Sequence, residues 1–140
     1  MLPAEFDLSG RMAIVTGGGT GIGKATAMLL ARRGADIAIA GRKADVLENA
    51  ARQIADETGR TCLAVPTDVR RPEDCRALVD TVAGKLGRID ILINNAGGAH
   101  GHVGLSKVDL AKWDRDIQLN LSSAQYCAQA ALPHLKANRG

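Results

Sequence analysis

The sequence predicts an α/β domain built on a doubly wound parallel sheet, and two observations carry this prediction. Short apolar segments of strand length alternate along the chain with longer segments whose apolar residues show helical spacing. Glycine or proline stands at most of the boundaries between these segments. Such alternation is typical of strand-helix-strand units, which build parallel sheets. No repeat, linker or low-complexity stretch interrupts it, so we expect a single domain over residues 1–140.

The first half of the chain contains two predicted strands, each followed by a helix. The first strand runs from about Arg11 to Thr16, and the helix after it from about Gly21 to Arg33, with Gly34 as its stop signal. The second strand is Ala35 to Ala40. In the next helix the apolar residues recur at three- and four-residue intervals, and they are Val46, Leu47, Ala50, Ile54 and Ala55.

The second half of the chain continues this order. The third strand is predicted from Thr61 to Val65 and is closed by Pro66. The helix after it opens at Pro72 and ends at Gly87.

A fourth strand and a long helix complete the pattern. The strand, Ile89 to Ile93, is apolar at almost every position, as expected of a strand that is covered on both faces. After a glycine-rich loop at Gly97 to Gly104, a long helix is predicted from about Ser106 to Lys136, with a kink at Pro133.

Composition and charge restrict the partners and the compartment of this protein. The net charge is only +3, and the sequence has one Phe, one Tyr and one Trp, so few aromatic rings could stack on bases. We therefore expect no nucleic-acid partner. No apolar run approaches the roughly 20 residues of a membrane span, and the N-terminus has no basic region followed by an apolar stretch. We expect a cytoplasmic protein with no membrane partner.

Cysteines and histidines give no pattern for a disulfide framework or a metal site. Cys62, Cys75 and Cys127 are odd in number and widely spaced, so we expect small buried apolar residues. His100 and His102 lie in the glycine-rich loop, where we expect them on the surface and not bound to a metal. The sequence predicts no metal ligand.

A glycine-rich turn follows the first strand and leads directly into a helical pattern. Three residues separate Gly17 from Gly21, and one separates Gly21 from Gly23. Glycines let the backbone approach a pyrophosphate closely, and the N–H groups of the next helix's first turn then point at the anion. The spacing differs from both the common G-x-G-x-x-G fingerprint and the nucleoside triphosphate loop.

Four motifs in this order resemble the short-chain dehydrogenase/reductase superfamily. They are Thr16–Gly23, Asp68-Val69, Asn94–Gly97 and Asn120-Leu121. The resemblance implies a Rossmann-type sheet of strand order 3-2-1-4, with the cofactor crevice between strands one and four. A weaker likeness, to the dienoyl- and enoyl-CoA reductase branch, rests on the residues from Gly17 to Lys24 together with Gly41–Leu47.

The resemblance assigns cofactor-binding roles to residues of these motifs. Asp68 would accept a hydrogen bond from the adenine amino group, and the alternative is a capping or first-turn charge for the helix at Pro72. Asn94 is interpreted as a residue that ties neighbouring strands together. The expected cofactor-binding residues of the motifs are Thr16, Gly17, Gly19, Thr20, Gly21, Ile22, Gly23, Asp68, Val69, Asn95, Ala96 and Gly97.

Asn120 is the one catalytic candidate in the chain. It falls on an apolar helix face between Leu119 and Leu121, where asparagine has poor helix propensity. In the family this asparagine helps to hold the proton-relay water near the catalytic lysine. The other interpretation, which is compatible, is a buried amide bound to helix backbone.

The end of the second strand favours NADP(H) over NAD(H). A free ribose 2′-hydroxyl usually meets an acidic residue there, whereas a 2′-phosphate prefers arginine. This chain has Arg42 and Lys43 at that end, while Asp36 starts the strand about 16 Å away at 3.3 Å per residue. Arg42 could bind the phosphate with a forked contact, and Lys43 would add a point charge.

The family's catalytic Tyr-x-x-x-Lys pair is not found in this sequence. Tyr126 is the only tyrosine, and Ala130 stands four residues later. Ser122 and Ser123 do not match the family's catalytic serine. We therefore expect an N-terminal, cofactor-binding part that lacks the later strands and the catalytic part.

Three hypotheses follow for the function. The first is the N-terminal portion of an NADP(H)-dependent oxidoreductase that acts on a small carbonyl, hydroxyl or enoyl substrate. The second is a catalytically inactive dinucleotide-binding module, and the third is a methyltransferase-like domain with an adenosyl cofactor.

A homo-oligomer through the helix at 106–136 is also expected. The apolar residues of this helix suggest packing against more protein or a second copy, and they are Leu119, Leu121, Cys127, Ala128, Ala131 and Leu135.

Overall fold

The computed structural model describes residues 6–99, 101 and 103–140 of the chain. Within them, the strands are β1 (Met12–Thr16), β2 (Asp36–Gly41), β3 (Cys62–Pro66) and β4 (Ile91–Ile93). The helices are α1 (Gly21–Arg32), α2 (Ala44–Thr58), α3 (Pro72–Leu86), α4 (Leu110–Ile117) and α5 (Ser123–Asn138). A 3₁₀ turn at Leu105–Lys107 precedes α4, and a π turn at Gln118–Ser122 joins α4 to α5.

The four strands form one parallel sheet of order β3-β2-β1-β4, which confirms the predicted topology. Successive residues of a strand point to opposite faces, so each strand supplies two cores. On one face, α1 and α2 pack on a cluster that includes Val15, Ile37 and Ile39. On the other face, α3 and α5 pack on a cluster that includes Ile14 and Ala38. The central strands are therefore apolar at nearly every position.

The fourth strand is shorter and less covered than the sequence predicts. Pairing with β1 begins at Ile91 and not at Ile89. At the preceding residue, Asp90 N donates to the main-chain oxygen of Met12 at 2.9 Å, and the Asp90 carboxylate accepts from Met12 N at 2.9 Å. All three residues of β4 are half-buried. Both of its faces contact the cores, but β4 has a sheet neighbour on one side only, among the described residues.

Asp90 forms a charged cluster at the amino ends of β1 and β4. Its carboxylate is buried and accepts hydrogen bonds from Arg88 Nε at 2.7 Å and from Arg11 Nη1 at 3.1 Å, besides Met12 N. Burial alone would raise the pKa of Asp90, but the hydrogen bonds from these three donors outweigh it and lower the pKa to about 2. The cluster is a structural device, since it lies at the end of the sheet opposite to the glycine-rich turn.

The predicted long helix is wrong in its bounds and in its continuity. It begins at Leu110, where Asp109 Oδ1 accepts hydrogen bonds from Ala111 N at 2.8 Å and Lys112 N at 3.3 Å and so caps the helix. It continues through Pro133 to Asn138 and is interrupted by the π turn.

The cysteines and the apolar residues of the long helix are used largely inside this chain. Cys75 and Cys127 are buried, as predicted, and their Sγ atoms lie 3.4 Å apart, but Cys62 is only half-buried. Of the residues expected to pack outward, Cys127 and Ala131 are buried in the core, and Leu135 packs against it. Leu121 remains exposed. Homo-oligomerisation through this helix therefore has a smaller basis than the sequence suggests, and it stays a prediction.

Candidate cofactor site

The glycine-rich turn lies between the carboxyl end of β1 and the start of α1, and its glycines are required by close contacts. Gly17 has a φ of +66°, and a Cβ there would lie 2.8 Å from Asn95 Nδ2. A Cβ on Gly23 would lie 2.2 Å from the main-chain oxygen of Gly17, so α1 can start against the turn only with glycine at this position. Gly21, Ile22 and Gly23 form the first turn of α1, whose N–H groups lack intrahelical acceptors.

Asn95 joins the ends of β1 and β4. Its side-chain Nδ2 donates to the main-chain oxygens of Thr16 at 3.0 Å and Gly17 at 3.3 Å. In return, Thr16 Oγ1 accepts from the main-chain N–H groups of Asn95 at 3.1 Å and Ala96 at 3.0 Å. These bonds hold the chain after β4 directly beside the glycine-rich turn.

The prediction that Asn94 ties the strands together is wrong. Asn94 is exposed, and its Nδ2 lies at 3.5 Å from the main-chain oxygen of Ala124 on α5. The chain turns toward β1 at the next residue, so the strand-joining role belongs to Asn95.

A crevice of about 350 Å³ opens at the carboxyl ends of the strands. Nine of the residues predicted for cofactor binding line it, and they are Gly17, Gly19, Thr20, Arg42, Lys43, Asp68, Val69, Ala96 and Gly97. Of the other predicted residues, Thr16 and Asn95 lie behind its wall, while Gly21, Ile22 and Gly23 lie at the start of α1. Five further residues line the crevice without having been predicted from the sequence, and they are Gly41, Val46, Leu47, Thr67 and Leu119.

Some of these omissions could have been avoided. Gly41 stands one residue and Thr67 two residues after the carboxyl end of a predicted strand, which is the edge where ligands of such sheets bind. Leu119 carries no such signal, because only the folded chain brings the π turn over the crevice.

Asp68 follows β3 and is held by its neighbour Arg70. Asp68 Oδ1 accepts from Arg70 Nε at 2.9 Å and from Arg70 N at 3.1 Å, while Oδ2 accepts from Arg70 Nη2 at 2.5 Å. These bonds, with a smaller contribution from the charge of Arg42, lower the pKa of Asp68 to about 2. The alternative role as a helix cap is wrong, because Arg71 is the N-cap residue of α3 and the Asp68 carboxylate bonds to Arg70.

Asn120 lies in the π turn and is exposed, so the expected burial is wrong, whereas the expected bond to helix backbone is confirmed by its contact with Asp116 of α4. Its Oδ1 accepts from Gly98 N at 3.0 Å, and its Nδ2 donates to the main-chain oxygens of Gly98 at 2.7 Å and Asp116 at 2.8 Å. The same π turn reaches the loop after β3, where Gln118 Nε2 donates to the main-chain oxygen of Arg70 at 3.3 Å. The turn therefore contacts loops on both sides of the crevice.

The charged residues at the end of β2 are Arg42 and Lys43, and both are exposed at the crevice. Asp36 lies at the opposite end of β2, where its Oδ1 pairs with Arg60 Nη2 at 2.8 Å and accepts from Thr61 N at 3.0 Å. Asp45, in the first turn of α2, is exposed and does not line the crevice. Asp68 is thus the only carboxylate among the described residues that line it.

The family model for short chain dehydrogenases matches residues 11–140. The chain belongs to the short-chain dehydrogenase family. This membership confirms the resemblance drawn from the four motifs, and it excludes the methyltransferase-like alternative.

Relatives and solved structures of the family match the same region. A cis-4-hydroxycyclohexanecarboxylate dehydrogenase of Sinomonas cyclohexanicum is 41% identical over 127 residues, which cover 91% of this chain and 50% of the relative. A peroxisomal 2,4-dienoyl-CoA reductase of Danio rerio is 47% identical over 91 residues, which cover 65% of this chain and 30% of the relative. The structure of L-sorbose reductase from Gluconobacter frateurii, complexed with NADPH and L-sorbose, matches with a TM-score of 0.90 and 34% identity over 95% of this chain and 50% of that chain. This chain thus spans half or less of the length of these relatives.

The residues that the structure describes include neither a candidate membrane span nor a candidate metal cluster. None of their helices is long and apolar enough to cross a membrane. No three of their His, Cys, Asp or Glu side chains are grouped to hold a metal ion. His100 and His102 lie outside the described residues.

Proposed function

We propose that this chain binds NADP(H), in preference to NAD(H), as the cofactor-binding portion of an oxidoreductase. The observation that supports this most directly is the charge at the end of β2, where Arg42 and Lys43 line the crevice, while the one carboxylate among the described lining residues, Asp68, follows β3. A guanidinium can hold a 2′-phosphate through paired charged hydrogen bonds, whereas a free 2′-hydroxyl is usually met by an acid at this point.

The crevice fits a dinucleotide for a second reason, which is the backbone that forms its wall. Four of its lining residues are glycines, so main-chain atoms face the cavity directly, and these are Gly17, Gly19, Gly41 and Gly97. The first turn of α1 adds N–H donors and the positive end of the helix dipole. Such a wall suits the diphosphate of a nicotinamide cofactor, which supplies or accepts hydride when it is bound.

Asp68 and Asn120 also have roles in this proposal. Asp68 stays charged at neutral pH and can accept a hydrogen bond from an adenine amino group. The Asn120 amide already donates both of its hydrogens, so a relay water would use the second lone pair of Oδ1 or the main chain. Asn120 is therefore proposed as a positioning residue.

The substrate class follows from the relatives. Those matched include a hydroxycyclohexanecarboxylate dehydrogenase, a 2,4-dienoyl-CoA reductase and an L-sorbose reductase. They support a small carbonyl, hydroxyl or enoyl substrate. In this proposal the tyrosine and lysine that move the proton belong to a part of the protein that the 140 residues do not include.

Calorimetric titration with NADP⁺ and NAD⁺ tests the proposal. Arg42→Ala is expected to weaken NADP⁺ binding by about 1.5–3 kcal/mol, because a charged hydrogen bond is lost, and to change NAD⁺ binding by less than about twofold. Arg52→Ala is the matched control, since Arg52 is also an exposed arginine of the same region but does not line the crevice. Equal losses for both cofactors, or binding of neither, would contradict the proposal.

A further inference from the structure

The ion pair between Asp68 and Arg70 lies at the edge of the crevice, yet only one partner lines it. Asp68 is a lining residue and Arg70 is not. The side chain of Asp68 is 23% exposed and that of Arg70 is 34% exposed, so the pair is partly shielded from solvent. Arg70 therefore contacts Asp68 from outside the crevice.

Three hydrogen bonds join Arg70 to the carboxylate of Asp68. The Arg70 guanidinium bonds to both carboxylate oxygens, and the Arg70 backbone N–H adds a third hydrogen bond to Oδ1. Two parallel N–H···O bonds to one carboxylate form the strongest arrangement of such a pair. In addition, Gln118 Nε2 donates to the main-chain oxygen of Arg70 at 3.3 Å, which connects this loop to the π turn.

The charge of Asp68 affects phosphate binding because two basic residues line the same crevice. Arg42 and Lys43, the proposed site for a 2′-phosphate, line the same cavity. Arg42 is near enough for its charge to contribute to the lowered pKa of Asp68. A phosphate held by Arg42 would thus also experience the negative charge of Asp68, unless that charge is balanced.

We propose that Arg70 is a positioning residue that sets cofactor specificity. The positive charge of Arg70 balances the negative charge of Asp68. The Asp68 carboxylate can then bind the adenine amino group without repelling a phosphate that is bound by Arg42. This inference rests on the proposed function, because it concerns the same NADP(H) site. It goes beyond that function in naming a residue outside the crevice that determines how strongly the phosphate is preferred.

The experiment compares Kd values for NADP⁺ and NAD⁺ in the wild-type chain and in five variants. Arg70→Gln removes the balancing charge and is expected to lower the NADP⁺ preference by about 3- to 10-fold at low salt, with a smaller change at 0.5 M salt. Arg70→Lys keeps the charge and is expected to keep the preference within about twofold. Arg52→Gln is the matched control, because Arg52 is also an exposed arginine but does not line the crevice.

Variants that carry Asp68→Asn distinguish the effect of the Arg70 charge from an effect of Arg70 on folding. Asp68→Asn alone is expected to raise the NADP⁺ preference by about threefold, because Arg70 is then unbalanced, and Arg70→Gln combined with it is expected to bring the preference back. This arm stays decisive if Arg70→Gln alone fails to fold, which circular dichroism would reveal. The ratio of the two Kd values is the readout, since a loss of adenine contacts or of fold weakens both cofactors alike.

The outcomes distinguish this inference from the function on which it rests. If Arg42→Ala removes the NADP⁺ preference while Arg70→Gln leaves the ratio unchanged, the role of Arg70 is wrong and the proposed function stands. If Arg70→Gln weakens both cofactors equally, Arg70 is only a structural residue. If the wild-type chain binds neither cofactor, both proposals fail.

Discussion

Asn95 Nδ2 donates a hydrogen bond of 3.0 Å to the main-chain oxygen of Thr16, across the ends of two strands that are 75 residues apart at their closest. The same amide reaches the oxygen of Gly17, and a Cβ on Gly17 would collide with it. The Asn95 side chain therefore joins the carboxyl ends of β1 and β4, and it also requires glycine at position 17. The candidate cofactor site depends on this contact.

We predict that Asn95→Ala destabilises the fold and weakens cofactor binding, while Asn94→Ala does neither. Loss of the two Nδ2 hydrogen bonds leaves the Thr16 and Gly17 oxygens without this donor, which should cost about 1–3 kcal/mol in the free energy of unfolding. Asn94 is exposed and has only a 3.5 Å contact, so its loss should cost less than about 0.5 kcal/mol. Urea unfolding and NADP⁺ titration measure both effects, and equal costs at the two positions would contradict the assignment.

We predict opposite effects of Gly→Ala substitutions at two helical positions. Gly23→Ala places a Cβ 2.2 Å from the Gly17 oxygen, a main-chain atom that cannot move aside, so a cost of about 2–4 kcal/mol is expected. Gly84→Ala, inside α3, meets no atom within 4 Å and should stabilise the fold by about 0.5–1 kcal/mol through helix propensity. Thermal and urea unfolding give both values, and a neutral Gly23→Ala would show that α1 can shift away from the turn.

We predict that the Asp90 cluster stabilises the fold above pH 4 and loses this effect in acid. The folded-state pKa of Asp90, about 2, lies below its ordinary value of 3.8. The contribution is therefore complete above the unfolded pKa and is lost as the pH falls through the folded pKa, and it amounts to about 2 kcal/mol at most.

Asp90→Asn should accordingly lower the free energy of unfolding at pH 7 by about 2 kcal/mol, and the gap to the wild type should narrow between pH 4 and pH 3. Asp45→Asn serves as the control, because Asp45 is exposed in the first turn of α2. A gap that stays constant down to pH 3 would mean that the effect of Asp90 does not come from its charge.

We predict that the 140-residue chain binds NADPH but does not oxidise it efficiently. General acid-base catalysis typically contributes about 10²–10⁴-fold, and the sequence contains no Tyr-x-x-x-Lys pair to supply it. The assay follows NADPH absorbance with a panel of ketones, aldehydes and enoyl thioesters, alongside a version extended by the missing strands. Turnover within tenfold of the extended version would point to Tyr126, Ser122 or Ser123 as an unexpected acid. Inactivity of both versions would favour a binding module.

The elements and their order could be predicted from the sequence because each depends on local patterns. The apolar runs of β1 and β2 give buried strands wherever they lie in a parallel sheet. The glycines after β1 and the residues after β3 and β4 stand at strand ends, and parallel strands bring those ends to one edge. For this reason the predicted sheet order was confirmed, and most of the predicted cofactor residues line one crevice.

Only the tertiary structure decided which side chain at a given strand end faces which neighbour. Asn94 and Asn95 are chemically identical and adjacent, and the direction in which the backbone leaves β4 selects Asn95 for the contact with Thr16. Asp68 has its partner two residues away in Arg70, but that pairing requires a loop geometry that no spacing rule determines. The π turn at Gln118–Ser122 likewise places its polar side chains on Gly98 and Arg70, which are distant in the chain. Periodicity determines which residues form an element, whereas packing between distant segments determines where their polar groups bond.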